Sequence, residues 1–146
     1  MNTIGSALPY MGAMLGLLFF MWVSDNYGRR TCIGLSWATA TIGGIFIVSF
    51  NHIVPIFIGF FISGFGVAPA NFVELVMLNE TSTGHSRSMS VCFLYVAFGI
   101  GELAIWPMSL VTTNYRWFNL YFLLIPYAVT NCVYFLIYES PKYLQQ

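Results

Sequence analysis

The chain is 146 residues long, 58% hydrophobic and only 7% charged, with five basic and five acidic side chains that cancel. Soluble domains carry roughly a quarter charged residues, so the composition excludes an ordinary water-soluble fold. The absence of net charge leaves no electrostatic footprint for nucleic acid or an anionic lipid surface.

Ile4 to Val23 is apolar over about the 20 residues that cross roughly 30 Å of hydrocarbon at 1.5 Å rise per residue. Asp25 is the first charge, so Met1 to Ser24 lacks the basic segment of a secretory signal. No small-residue cleavage site follows, and the run reads as a retained helix. After the turn Asp25-Asn26-Tyr27-Gly28-Arg29-Arg30 comes a second run, Cys32 to Phe50, and Asn51-His52 leaves almost no loop before Ile53 to Leu78. Ser82 to Ser90 is the longest polar stretch, with Gly84 as its breaker. The fourth run, Met89 to Val111, follows, and Asn114, Tyr115 and Arg116 turn the chain into the fifth, Trp117 to Tyr138.

Barrel strands alternate over about ten residues, whereas these runs are continuously apolar for about twice that length. The expectation is therefore an all-α membrane protein with about five transmembrane helices, residues 1–146 forming a single domain. Pro69, Pro107 and Pro126 fall within spans and predict kinks. Gly12-xxx-Gly16, Ser36-xxx-Ala40-xxx-Gly44 and Ala97-xxx-Gly101 place small residues at helical spacing, as close helix packing requires. Cys32, Cys92 and Cys132 lie inside apolar runs at no metal or disulfide spacing, and are expected to be small packing residues.

Short cytoplasmic loops collect Lys and Arg. Arg29, Arg30, Arg87 and Lys142 would share one side and Arg116 the other, which predicts an N-terminus outside and a C-terminus on the cytoplasmic side. That topology puts the sequon Asn79-Glu80-Thr81 where it would not be glycosylated. Which membrane is home stays open.

An Asp closing one span, a Gly turn and an Arg pair opening the next resemble the loop motif between the second and third helices of the major facilitator superfamily. Asp25, Gly28, Arg29 and Arg30 match it; Met21 stands where the family has Gly, and Asn26 where it has a basic residue. Gly64-Phe65-Gly66 leads to Glu80, and Arg87 follows seven positions on, which resembles the Glu-x6-Arg segment of sugar porters and of organic cation and anion transporters. Tyr138-Glu139-Ser140-Pro141-Lys142-Tyr143-Leu144 is similar to their tail after the sixth helix, with Tyr138, Lys142 and Tyr143 as departures. Tyr115-Arg116-Trp117 resembles the opening of the sixth helix in the organic-ion branch, which inclines the comparison away from sugars. The resemblance implies helices two to six of a twelve-helix transporter, with the lipid bilayer and the missing half or other membrane subunits as partners. It implies an organic ion or sugar as substrate, and no cofactor.

Seven of the ten charges gather on the cytoplasmic side of this topology: Asp25, Arg29, Arg30, Glu80, Arg87, Glu139 and Lys142. The resemblance implies that they form an inner gate whose salt bridges break as the halves rock; on composition alone they are ordinary topology-fixing loops. Glu74 and Glu102 lie within spans, where an ionisable group costs about 3 kcal/mol on insertion scales. Glu74, near the inner end of its helix, either functions in a cavity or snorkels to the interface. Glu102 lies near the midplane and by helical spacing shares a face with Tyr95, Phe98, Trp106 and Ser109. That face suits a cationic substrate through charge pairing and cation–π attraction, or else holds a protonated Glu bonded to a neighbouring helix.

No catalytic or metal constellation is expected. Gly34-Leu35-Ser36-Trp37-Ala38 is one residue short of a Gly-x-Ser-x-Gly elbow and opens mid-helix, and His52 and His85 both lie in loops. Two functions remain: part of a transporter working by alternating access, or a shortened, non-transporting relative retained as a structural subunit of a larger membrane complex.

Overall fold

A computed structural model describes residues 2–82, 85–111 and 114–134. Among them every extended element is helical: α1 (Asn2–Tyr27), α2 (Arg29–Ser49), α3 (Ile53–Thr81), α4 (His85–Val111), and a last rod made of α5 (Tyr115–Asn119), a π-helical stretch (Leu120–Leu124) and α6 (Ile125–Tyr134). Among the described residues three helices are long and apolar enough to cross a bilayer: Ala7–Tyr27, Arg29–Ser49 and Ile53–Glu80, with mean hydropathies of 1.6, 1.7 and 2.0.

The turn between the first two runs is shorter than the sequence suggests. Asp25, Asn26 and Tyr27 are the last turn of α1, and Arg29 and Arg30 the first of α2, so Gly28 alone is not helical. Its φ of 89° and ψ of 155° belong to a region open essentially to glycine. The Cys32 N–H then donates to the Gly28 carbonyl at 3.2 Å and starts α2.

Helix α3 is the axis of the bundle, with α1 against one side and α2 against another. Its run Gly59 to Gly66 explains how. Ser63 and Gly66 meet α2, where a Cβ added to Gly66 would lie 2.5 Å from the Ala40 nitrogen and the Ser36 carbonyl oxygen. Phe61, Gly64 and Phe65 meet α1, where a side chain on Gly16 would collide with the Phe65 carbonyl and one on Gly64 with Pro9. In lipid, helices gain little from hiding apolar surface and associate through such backbone approach. The buried cluster is correspondingly compact: Phe20, Val23, Cys32, Ile33, Trp37, Ala40, Ala70 and Val73.

The last rod leans on α2. Leu123 and Leu124 lie against Gly44, and Asn131 Nδ2 donates to Thr41 Oγ1 at 2.7 Å and to the Tyr127 carbonyl at 2.9 Å. Pro126 leaves its mark as the π-helical stretch before it, where the Ile125 N–H reaches back to the Leu120 carbonyl. A proline ring crowds the carbonyl four residues earlier, and a widened turn relieves that crowding. Helix α4 touches α3 only lightly. Among the described residues none lies within 4 Å of a Cβ added to its Gly99 or Gly101, and Phe93, Tyr95, Val96, Phe98, Ile100 and Leu103 are exposed.

The three cysteines separate. Cys32 is buried and its thiol donates to the Phe20 carbonyl at 3.2 Å, as a packing residue should. Cys92 and Cys132 are exposed, because they lie on faces of α4 and α6 that the described helices do not cover.

Candidate functional site

Helix hairpins bring the charged ends of α1, α2, α3 and α4 to one end of the bundle. There Arg29, on the first turn of α2, pairs with Glu80, on the last turn of α3. Both side chains are partly sheltered, 24% and 10% exposed. Arg87, on α4, donates its Nε to Asn79 Oδ1 at 3.1 Å, one residue from Glu80. Asp25 is exposed and, with Met21, Ser24, Arg29, Phe72, Val73 and Val76, lines a cavity of about 220 Å³ between α1 and α3. Arg30 is half-buried beside Arg29. Of the charged group expected from sequence, Asp25, Arg29, Arg30, Glu80 and Arg87 thus gather at one end, while Glu139 and Lys142 lie outside the described residues.

Glu74 lies deeper, about two turns from Glu80. Its Oε1 accepts the indole N–H of Trp37 at 2.6 Å across the α2–α3 seam. The Trp37 ring packs on Tyr127 of α6, with centroids 5.4 Å apart, and the Tyr127 hydroxyl is 3.4 Å from Ser63 Oγ. Glu74 therefore turns its carboxyl toward α2.

A second cavity, about 300 Å³, opens between α1, α3 and α4 and is lined by Leu17, Ala68, Asn71, Phe72, Leu75, Leu94, Tyr95 and Phe98. Successive α3 residues Ala68, Asn71, Phe72 and Leu75 form one helical face, while Glu74 points to α2. Of the four residues expected at a substrate cavity, the three whose side chains are described lie apart. Tyr95 lines this groove, Glu74 belongs to the α2–α3 seam, and Glu102 is exposed further along α4 and outside the lining. Trp106 is on α4, and its side chain lies outside what is described.

Three participants escaped the sequence reading: Trp37, Asn71 and Asn79. Counting inward from Arg29 and Glu80 along an antiparallel hairpin reaches Trp37 and Glu74 together after about two turns, a signal that pairing of the ends would have supplied. Nothing in the sequence singles out Asn71 from other polar residues at helix positions.

The sequence pattern of the Major Facilitator Superfamily matches residues 2–146. The myo-inositol transporter 1A of Cryptococcus neoformans is 24% identical over 140 residues, covering 94% of this chain and 25% of its own length. The sugar transporter ERD6-like 8 of Arabidopsis thaliana is 29% identical over 147 residues, covering 99% and 30%. Solute carrier family 22 member 2 of Mus musculus is 20% identical over 139 residues, covering 94% and 25%. The chain thus spans between a quarter and a third of these relatives. With apolar helices packed through glycines and the charged motif residues drawn to one end, this multi-pass integral membrane protein belongs to the Major Facilitator Superfamily.

Proposed function

We propose that the chain forms part of the N-terminal half of a transporter that carries a small neutral polyhydroxylated solute, a sugar or polyol, by alternating access. The observation that carries this is the groove between α1, α3 and α4. It is apolar and aromatic, and among the described residues its lining offers the Asn71 amide and the Tyr95 hydroxyl as polar groups and no charged side chain. Such a wall suits a ring whose C–H faces lie on aromatics and whose hydroxyls meet an amide and a phenol. Similarity to an inositol transporter and a sugar transporter agrees with it.

In this reading the end bearing Arg29 and Glu80 faces the cytoplasm, following the distribution of basic residues. Because α2 and α3 are already locked by glycine packing, their ion pair stiffens this part of the half, which rocks as a body against the opposing one. Asp25 and its cavity, open at the same end, are the part left to meet the other half.

Uptake of labelled hexose and inositol, against tetraethylammonium, in cells expressing the full product of the gene tests this. Tyr95→Ala and Asn71→Leu are expected to raise KM for the neutral solute about tenfold, the loss of one productive hydrogen bond. Uptake of tetraethylammonium that is abolished by Glu102→Gln would instead establish a cation site on the exposed face of α4. No uptake of either class, with other membrane subunits co-purifying in fixed ratio, would establish the structural-subunit role.

A further inference from the structure

We infer that Glu74 is a proton-binding site within the bundle, its bound proton keeping the α2–α3 seam closed beneath the Arg29–Glu80 pair. The inference stands apart from the identity of the solute.

Among the described residues the Trp37 indole is the hydrogen-bond partner of the Glu74 carboxyl, at 2.6 Å, and the ion pair of the bundle, Arg29 with Glu80, does not include it. The charged groups on the packed elements are engaged or displaced. Arg29 pairs with Glu80 at the end of the seam, Arg30 occupies the first turn of α2, and Asp25 of α1 opens into its own exposed cavity. The titratable neighbours face elsewhere: the Cys32 thiol is turned to the Phe20 carbonyl, and Tyr127 lies against Trp37 with its hydroxyl at Ser63.

An ionised carboxylate presents about four acceptor sites, and one indole N–H fills one of them. Within a span, and with that indole as its one donor among the described residues, the carboxylate form is disfavoured. The acid form fits the same geometry: its C=O accepts the indole N–H, and the charge is gone. Water at the charged end, about two turns away, is the source and sink of the proton. Release leaves a carboxylate that must recruit water into the seam, so proton occupancy is tied to whether α2 and α3 stay sealed there. Trp37 is a positioning residue in this scheme, because it orients the carboxyl without exchanging a proton itself.

Infrared spectroscopy of the protein reconstituted in lipid reads this without any transport assay. At neutral pH the spectrum is expected to contain a protonated-carboxyl C=O band that disappears in Glu74→Gln, a near-isosteric change that still accepts the indole N–H. Trp37→Phe is expected to retain the band and move it to higher frequency, since its C=O has lost a donor. Alkaline titration is expected to bleach the band reversibly. A spectrum that Glu74→Gln leaves unchanged, a band that Trp37→Phe does not move, or one that persists at every pH would each overturn the proposal.

Discussion

Arg29 and Glu80 each sit at the unfavourable end of their own helix and at the favourable end of the other's. Arg29 opens α2, where the backbone dipole is positive, and Glu80 lies in the last turn of α3, where it is negative. The antiparallel hairpin sets the two ends side by side, so the ion pair also corrects both helix-end mismatches. Arg29→Ala and Glu80→Gln are each expected to destabilise the protein by about 1 to 3 kcal/mol, with the double variant costing less than the sum by about 1 kcal/mol. Thermal unfolding in detergent through the double-mutant cycle measures the coupling, and additive losses would show that the pair contributes nothing.

Glycine packing against α3 predicts a sharp contrast along the chain. Gly66→Val drives a branched side chain into the α2 backbone, where even a Cβ lies 2.5 Å from Ala40 and Ser36 atoms, and is expected to cost several kcal/mol or prevent assembly. Gly101→Ala adds a methyl to open space and is expected to change stability by under about 0.5 kcal/mol or to stabilise α4. Size-exclusion profiles and unfolding midpoints of the two variants give the comparison.

At Gly28 the constraint is conformational. An alanine there must hold a φ of 89°, so Gly28→Ala is expected to cost about 1 to 3 kcal/mol and to loosen the α1–α2 reversal. Limited proteolysis between Tyr27 and Arg30 in detergent should accelerate in the variant; unchanged cleavage and an unchanged melting temperature would show that the reversal tolerates a side chain.

Asn131 ties the last rod to α2 through Thr41. Asn131→Leu and Thr41→Val are each expected to cost about 0.6 kcal/mol, the usual size of an interhelical hydrogen bond in a membrane. The double variant should cost little more than either single one. A loss of several kcal/mol, read from unfolding in detergent, would mean that the amide organises more of the bundle than this contact.

Much of the candidate site was visible in the sequence as residue types and hardly any of it as pairs. Gly28 stood out as the glycine of the turn motif between two spans, but not as the one residue between them that leaves the helix with a φ of 89°. Arg29, Glu80 and Arg87 stood out as charges in a chain that has few. Glu74 stood out as an acid in a span, yet its partner Trp37 is a residue type that any apolar helix carries. Tyr95 and Glu102 share a helical period on α4, but the groove forms only where α1 and α3 approach that helix, and their approach takes in Tyr95 and leaves Glu102 outside.

By itself the sequence determined that the chain is a set of membrane helices, because apolar runs of bilayer length admit no other way to satisfy backbone hydrogen bonds. It also marked the charged turns. The tertiary structure decided which of those charges meet and which helix faces are covered. Those outcomes depend on how each helix is rotated about its axis and how closely its backbone approaches the next. In this bundle small residues distributed over three helices set both: Gly12 and Gly16 against α3, Gly64 against Pro9, and Gly66 against Ser36 and Ala40.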